Sequence, residues 1–244
     1  MLSKLGFCSR SNAAELIRAG RVRLNGKIHR DPETPVGEKT SDIRVDGNPV
    51  APQEKIYLML NKPRGVVTTA ADEKGRETVY GLLNREPTRY VPEALPWVAP
   101  VGRLDKASEG LLLLTNDSEW GARVAAPGTH LEKTYHVQVG IVADEKFVQS
   151  LIRGVRVSDH EVLRAKDAHR LRAGQKNCWL EIVLDEGKNR HIRRMIESLD
   201  VEVLRLVRVG IGPLQLGGLM KGAYRELTAD EKLMLDRGMR GKTS

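Results

Sequence analysis

The segment GRLDKASEGLLLLTND, residues 102–117, restricts the fold of this chain more than any other stretch. Its four consecutive leucines lack the alternation of a half-solvated strand, so they predict a short strand that is buried on both faces. Asp105 precedes this strand, in a turn that begins Gly-Arg-Leu. An acid at the edge of so apolar a segment needs an explanation, although most acids in loops only stabilise turns.

The first fifty residues have the pattern of a small α/β module. Ser11 is placed to cap a helix, and Gly20 is placed to end it. The dipeptides Asn25-Gly26 and Asp46-Gly47 lie between alternating charged and apolar residues. Such dipeptides are the strongest short signals for a β-hairpin, so two hairpins are predicted after the helix.

Residues 56–236 are expected to form the main domain. Strand patterns occur in KIYLML, KTYHVQV, CWLEIVL and VEVLRLVRV, and the clearest helix lies in GKNRHIRRMIESLD. In that helix the apolar residues share one stripe, which places Arg190, Arg193 and Arg194 on the opposite and flanking faces. Strands and helices do not alternate regularly. We therefore predict an α+β fold: a mixed, mostly antiparallel sheet with flanking helices, preceded by the small α/β module.

The remaining segments are short. Residues 51–55 contain a proline and no periodicity, which is typical of a linker, and residues 237–244 are expected to be a disordered basic tail. No apolar run approaches the roughly 18 residues of a membrane span, and the first ten residues are too polar for a secretory signal. A cytoplasmic protein without membrane contact is expected.

The charge distribution favours a polyanionic partner. Basic residues exceed acidic ones by eight over the whole chain. In residues 1–30 seven basic residues stand against the single acid Glu15. Clustering of this kind supplies contacts to phosphate groups, so nucleic acid is the favoured partner.

The chain is not expected to bind a metal. Its two cysteines, Cys8 and Cys178, lie far apart and belong to no Cys-x-x-Cys pair. The six histidines lack the spacing of a metal site. The cysteines are expected to be reduced thiols.

Two residues have competing interpretations. With Glu109, Asp105 could form the carboxylate pair of a nucleoside or glycoside hydrolase, although spacing in a loop does not fix the separation of the two groups. Tyr135 alternates with valines and is expected in the core of a sheet, but a tyrosine on a strand can also stack on a base.

Several motifs together resemble one family. The segments NKPRGVVTT, PVGRLDKASEGLLLLTND, EKTYHVQV, EGKNRHIRRMIESL and RVGIGPLQLGGLMKGAYRELTADE have the order and spacing of bacterial RNA pseudouridine synthases of the ribosomal small-subunit type. Residues 3–50 resemble the RNA-binding module named after ribosomal small-subunit protein four, although its first helix starts late. The resemblance covers nearly the whole chain.

This resemblance implies roles for three residues. Asp105 is expected to be the indispensable catalytic aspartate, Tyr135 to pack against the target base, and Arg193 to pair with Asp105. The isomerisation needs no redox step and no external energy, so no cofactor is implied. Asp105 would either attack the anomeric carbon or remove the neighbouring 2′ proton, and the sequence leaves both open. Leu111–Leu114 are expected to form an apolar wall beneath it.

Ribosomal RNA, free or in a pre-ribosomal particle, is the implied partner of a monomeric enzyme. The predicted RNA contacts are Arg10, Arg18, Arg21 and Arg23 in the module, and Lys62, Arg64, Arg103, Lys133 and Arg190 around the cleft. The alternative is a non-catalytic RNA-binding or ribosome-assembly factor on the same fold.

Overall fold

The computed structural model describes residues 1–37, 42–70, 72, 74–84, 95–126, 128–129 and 131–240. Its N-terminal module packs one helix, α1 (Arg10–Arg18), against a small antiparallel sheet. The strands of this sheet are β1 (Val22–Leu24), β2 (Lys27–His29), β3 (Ile43–Val45) and β4 (Asn48–Pro49), in the order β2-β1-β3-β4.

Both predicted hairpins are confirmed. Asn25, Gly26, Asp46 and Gly47 all have positive φ, which the tight turns of such hairpins require. The predicted cap of α1 is wrong by two residues: Ser9 accepts a hydrogen bond from the amide of Asn12 at 3.0 Å, whereas Ser11 lies inside the first turn.

Within the described residues, the rest of the chain forms one large sheet, one separate hairpin and five helices. Its strands are β5 (Tyr57–Lys62), β6 (Ala99–Val101), β7 (Glu109–Thr115), β8 (Lys133–Val139), β9 (Val155–Ser158), β10 (Glu161–Leu163), β11 (Asp167–Ala173), β12 (Cys178–Leu184), β13 (Val203–Ile211), β14 (Leu214–Gln215) and β15 (Tyr224–Glu226). Its helices are α2 (Val79–Leu83), α3 (Ser118–Ala125), α4 (Glu145–Arg153), α5 (His191–Glu197) and α6 (Ala229–Met239).

The main sheet has the order β11-β12-β8-β13-β7-β5-β15, with β14 paired to β13 and β6 paired to β7. Strands β9 and β10 form a separate hairpin. In the described residues β7 and β13 form the one parallel pair of strands in this sheet. The predicted α+β class with a mixed, mostly antiparallel sheet is therefore confirmed.

We call the parallel pairing of β7 with β13 the seam, because it joins two halves of the sheet. The pairing consists of Val207 opposite Glu109 and Arg208 opposite Gly110. Gly110 has a φ of 103°, and a Cβ atom there would lie 2.2 Å from the carbonyl oxygen of Arg208. Only glycine permits this close approach of the two backbones.

Each half of the sheet has its own core. In the half formed by β11, β12, β8 and β13, helices α4 and α5 cover one face. In the other half both faces are covered, by α2 on one side and by α3 and α6 on the other. Leu111–Leu114 alternate between these two layers and are fully buried. The prediction of a strand buried on both faces is confirmed.

The expected tail is wrong in part. Residues 237–239 continue helix α6, and Met239 packs against the core beside α3, whereas residues 241–244 lie outside the described residues. Residues 51–55 form neither helix nor strand, but the amide of Gln53 donates to the carbonyl oxygen of Leu5 at 3.0 Å. In the described part of the chain, no helix has both the length and the apolar character of a bilayer span.

Candidate active site

A cavity of about 450 Å³ opens beside the seam. Its walls come from the loop before β7, the start of β8, the end of β13, the end of α3 and the connection from β12 into α5. The volume lies within the usual range for a small-molecule site and suits a single nucleotide. Asp105, Tyr135 and Arg193 all line this cavity.

Asp105 lies on the loop between β6 and β7. Its backbone carbonyl accepts from the amide of Ser108 at 2.9 Å, and the neighbouring Leu104 carbonyl accepts from the hydroxyl of Thr68 at 2.8 Å. The loop is therefore held by the chain that follows β5. The carboxylate of Asp105 is half-buried and accepts no hydrogen bond from the described residues. Its lone pairs are free for a substrate.

Lys62 supports the same loop from below. It is fully buried, and its Nζ donates to the carbonyl oxygens of Ser108 at 2.8 Å and Pro63 at 3.0 Å. Burial lowers the pKa of Lys62 to about 8, against the partial opposition of Asp105 and Glu109. The prediction that Lys62 contacts RNA is wrong, because a side chain without solvent exposure cannot reach a phosphate on the surface.

Arg193 is buried in α5 rather than on an outer face of the helix, so that part of the prediction is wrong. Its guanidinium donates to the carbonyl oxygens of Ala107 at 2.9 Å and Val203 at 3.3 Å, while its Nε has no partner in the part of the chain that the structure describes. Burial lowers the pKa of Arg193, and the charge of Asp105 partly opposes this. Within the described part of the chain, no carboxylate, Asp105 included, lies within 4.0 Å of the guanidinium.

The expected ion pair of Asp105 and Arg193 is therefore not formed in this arrangement. Instead Arg193 holds the loop that carries Asp105, through the carbonyl of Ala107 two residues further on. The two charges face the same cavity.

Tyr135 lies where the two halves of the sheet meet. It is half-buried and packs against the apolar clusters of both halves. Its ring therefore serves the core, as its alternation with valines predicts, and it also lines the cavity. The interpretation as a core residue is confirmed, whereas stacking on a base stays a prediction.

The cavity walls are not those predicted. Leu111–Leu114 are buried and do not line the cavity; its apolar lining includes Val101, Leu104, Leu206 and Ile211. Glu109 faces away from it and binds Arg205 at 3.0 Å and Lys221 at 2.5 Å. Burial raises the pKa of Glu109, but the hydrogen bonds from these two cations outweigh burial and hold the pKa below its usual value. The hydrolase interpretation with two cooperating carboxylates is therefore wrong.

The charge of the cavity is positive. Its cationic lining residues are Arg103, Lys133, Lys188, Arg190, Arg193 and Arg208, against the three acids Asp105, Asp185 and Glu186. Arg190 is exposed and pairs with Glu197 at 3.5 Å, and Arg103 is exposed at the cavity edge. Arg64 is exposed nearby and donates to the carbonyl oxygen of Leu204 at 3.4 Å.

The four predicted arginines of the N-terminal module are all exposed. Arg21 is engaged with Asp46, through contacts of 2.9 and 2.5 Å, and Arg23 donates to the carbonyl oxygen of Gly26 at 3.1 Å. Arg10 and Arg18 make no side-chain hydrogen bond with a described residue. These two are the most available to an outside anion.

Sequence reasoning missed Arg208 and His191, which also line the cavity and are buried. His191 Nε2 is 3.1 Å from the carbonyl oxygen of Arg164, and burial lowers the pKa of His191. Arg208 alternates with apolar residues in a strand, a pattern that predicts a solvated face. In the described residues no cluster of three or more histidine, cysteine or acidic side chains is arranged to hold a metal ion.

Comparison with known proteins shows which family this chain belongs to. Residues 56–198 match the sequence model of the RNA pseudouridylate synthase family, and residues 1–41 match that of the S4 domain. The ribosomal large subunit pseudouridine synthase B of Bacillus subtilis is 36% identical over 236 residues, which cover 95% of this chain and 91% of the relative. An uncharacterized RNA pseudouridine synthase of Aquifex aeolicus is 37% identical over 235 residues, covering 96% and 91%.

A solved structure agrees as well. A crystal structure of a pseudouridylate synthase superposes with a TM-score of 0.65 at 28% identity and covers 96% of both chains. The family match spans more than half of this chain, and the similar relatives extend over nearly all of it. This chain therefore belongs to the RNA pseudouridine synthase family, with an S4 domain in front of the synthase domain.

Proposed function

We propose that this protein converts a specific uridine of ribosomal RNA to pseudouridine, with Asp105 as its catalytic carboxylate. One observation carries this proposal: Asp105, Tyr135 and Arg193, which are widely separated in the sequence, line a single cavity at the junction of two cores. The relative from Bacillus subtilis is named for the large ribosomal subunit, so large-subunit RNA is the first substrate to test.

The reaction exchanges one bond for another. The bond between C1′ of the ribose and N1 of uracil breaks, and a bond between C1′ and C5 forms. The hydrogen on C5 is lost, and N1 ends with a hydrogen of its own. The reaction is an isomerisation and is redox-neutral overall, because the formal reduction at C1′ is balanced by the formal oxidation at C5, so it has no need of a redox cofactor.

Asp105 acts on the sugar in either of two ways. Its ionised carboxylate attacks C1′ and forms a covalent intermediate, or it removes the 2′ proton. Both need an anion whose lone pairs are not already bound, and Asp105 accepts no hydrogen bond from the described residues.

Tyr135 packs against the detached uracil and limits the directions in which it can turn. The cavity must also exclude water, which would otherwise capture the activated sugar. Its apolar walls, with Leu104 next to Asp105 and Leu206 on β13, serve this purpose.

Binding places the RNA over the cavity. The target base must leave its stack, at a cost of a few kcal/mol. The exposed cations Arg64, Arg103 and Arg190 offset this cost through phosphate contacts. The N-terminal module adds affinity by tethering the RNA close to the site, through Arg10, Arg18 and Arg23. We place this activity in the cytoplasm, in a monomer acting on free RNA or on a pre-ribosomal particle.

The test is the replacement Asp105→Asn, which keeps the size of the side chain and removes its charge. We expect no pseudouridine formation, while RNA binding persists. Isomerisation is followed by tritium release from RNA labelled at C5 of uridine. Asp144→Asn is the matched control, because Asp144 caps α4 far from the cavity and asparagine caps a helix equally well.

Isomerisation at the normal rate by Asp105→Asn would refute the assignment. The alternative, a binding factor without catalysis, is tested by deleting the gene and mapping pseudouridine by carbodiimide-blocked primer extension. An unchanged map of the ribosomal RNA would favour that alternative.

A further inference from the structure

Two further cations, Lys133 and Arg208, line the cavity that also contains Asp105. Arg208 on β13 is directly opposite Tyr135 on β8, and Lys133 precedes Tyr135 by two residues on the same strand. Because side chains alternate along a strand, Lys133 and Tyr135 project from the same face of the sheet, and so does Arg208 opposite Tyr135. A β-bulge on β13 separates Arg208 from Ile211, which is the residue opposite Lys133.

Arg208 is buried, with 6% of its surface exposed. Its Nε donates to the carbonyl oxygen of Leu111 at 2.7 Å, whereas its Nη2 is buried and has no hydrogen-bond partner among the described residues. A buried donor without a partner is unfavourable and rare in folded proteins. The guanidinium is thus fixed at one side and unsatisfied at the other.

Lys133 is half-buried, and its Nζ makes no hydrogen bond with a described residue. Burial lowers the pKa of Lys133, the charge of Arg208 lowers it further, and Asp185 partly opposes both. No carboxylate of the described residues lies within 4.0 Å of either cation. Like charges in neighbouring strand positions repel each other, and burying them without a counter-ion is unfavourable.

The backbone around Arg208 leaves it little freedom. The absence of a side chain at Gly110 lets β7 approach the carbonyl of Arg208, and the next residue, Leu111, receives its Nε hydrogen bond. The guanidinium, which lines the cavity, is therefore held in place before a ligand arrives. A preorganised donor binds its ligand with a smaller loss of conformational entropy.

We propose that Arg208 and Lys133 form a phosphate-binding site inside the cavity, which takes the phosphodiester group adjoining the target uridine. This inference rests on the proposed function, which brings RNA to the cavity. Uracil is neutral and cannot compensate two positive charges, whereas a phosphodiester carries the required negative charge and accepting oxygens. A guanidinium and an ammonium only donate hydrogen bonds and suit phosphate oxygens.

This site differs from the other cations of the cavity. Arg103 and Arg190 are exposed and already solvated, so they gain less from an anion. Arg208 and Lys133 instead anchor the phosphate of the flipped nucleotide while Asp105 reacts with the sugar of that nucleotide. The base is then the part that is free to turn.

The test compares the binding of uridine with that of uridine 5′-monophosphate and uridine 3′-monophosphate, by isothermal titration calorimetry at low salt. We expect one of the nucleotides to bind at least about tenfold more tightly than uridine, as one charge-assisted contact would provide. Arg208→Gln and Lys133→Gln should each reduce this preference severalfold and leave the affinity for uridine nearly unchanged. Arg156→Gln removes an exposed arginine on β9 and should leave the preference intact.

A buried arginine is a demanding position, so Arg208→Lys and a melting temperature accompany each variant. The ratio of the nucleotide affinity to the uridine affinity is insensitive to partial unfolding, because both ligands bind the same fraction of folded protein. Equal affinity of the unmodified protein for uridine and both nucleotides overturns the proposal. So does undetectable nucleotide binding at millimolar concentration, or an equal loss of uridine and nucleotide binding in Arg208→Gln.

These results are separate from the test of the proposed function. Failure of the phosphate site appears as an absent or unchanged nucleotide preference in a protein that still isomerises RNA. Failure of the proposed function appears as isomerisation retained by Asp105→Asn, or as an unchanged map of modified uridines.

Discussion

Replacing Lys62 by methionine removes a positive charge that the fold buries completely. The replacement keeps an unbranched apolar side chain that is one heavy atom shorter than that of lysine. It removes the two hydrogen bonds to the carbonyl oxygens of Pro63 and Ser108. The pH dependence of stability, rather than its value at one pH, isolates the effect of the charge.

The magnitude follows from the pKa of Lys62. Burial lowers it from 10.5 to about 8 in the folded protein. Charging the buried amine therefore costs the folded state about 3 kcal/mol near neutral pH. Because the folded pKa lies below the unfolded one, the unfolded chain binds more protons between these values, and the free energy of unfolding rises with pH. Between neutral pH and a pH of about 9.5, the free energy of unfolding increases by about 2 kcal/mol.

Lys62→Met should lack this rise. The measurement is urea unfolding at several pH values, followed by tryptophan fluorescence, for the unmodified protein and the variant. Contributions from other titrating groups cancel in the difference between the two. Lys146→Met, at an exposed position on α4, serves as the control and should follow the unmodified protein. Parallel pH curves for Lys62→Met and the unmodified protein would show that Lys62 is not buried in its charged form.

Two further predictions concern the seam and the N-terminal module. Gly110→Ala places a Cβ atom 2.2 Å from a carbonyl oxygen of β13. It should therefore lower the free energy of unfolding, measured in urea, by more than about 3 kcal/mol. In the control Gly218→Ala the added atom meets open space, and equal stability of the two variants would contradict the close approach. Arg18→Gln should weaken RNA binding and reduce the slope of log K against log salt by about 1. Arg21→Gln should have a smaller effect, because Arg21 is already paired with Asp46, and equal slopes for both variants would refute this distinction.

Much of the fold follows from local sequence pattern. The two Gly-containing turns of the module, the leucine strand and the alternating strand that contains Tyr135 depend on short-range preferences, and all form where the sequence predicts them. The resemblance to the synthase family predicted the candidate catalytic residues, which composition and spacing alone left open. The structure then brings Asp105 and Arg193 to one cavity without forming their ion pair.

The errors share one physical cause. Lys62, Arg193 and Arg208 are charged residues in amphipathic patterns, and such patterns predict contact with solvent. Their burial depends on strands β7 and β13, which lie far apart in the sequence and pair over two positions. No local sequence pattern predicts a parallel pairing of strands that lie so far apart in the sequence. The buried cations are therefore the part of the site that only the three-dimensional structure reveals.

The seam also affects how such an enzyme can change during evolution. Asp105 belongs to the loop of one half, Arg193 and Arg208 belong to elements of the other, and Tyr135 packs against both cores. The two cores are aligned by the two residue pairs of the seam, the ion pair of Glu109 with Arg205, and the hydrogen bonds that Arg193 and Arg208 donate across it. Each core can therefore accumulate substitutions of its own. The loops of each half can then diversify to bind RNAs of other shapes, while the reacting groups keep their positions relative to one another.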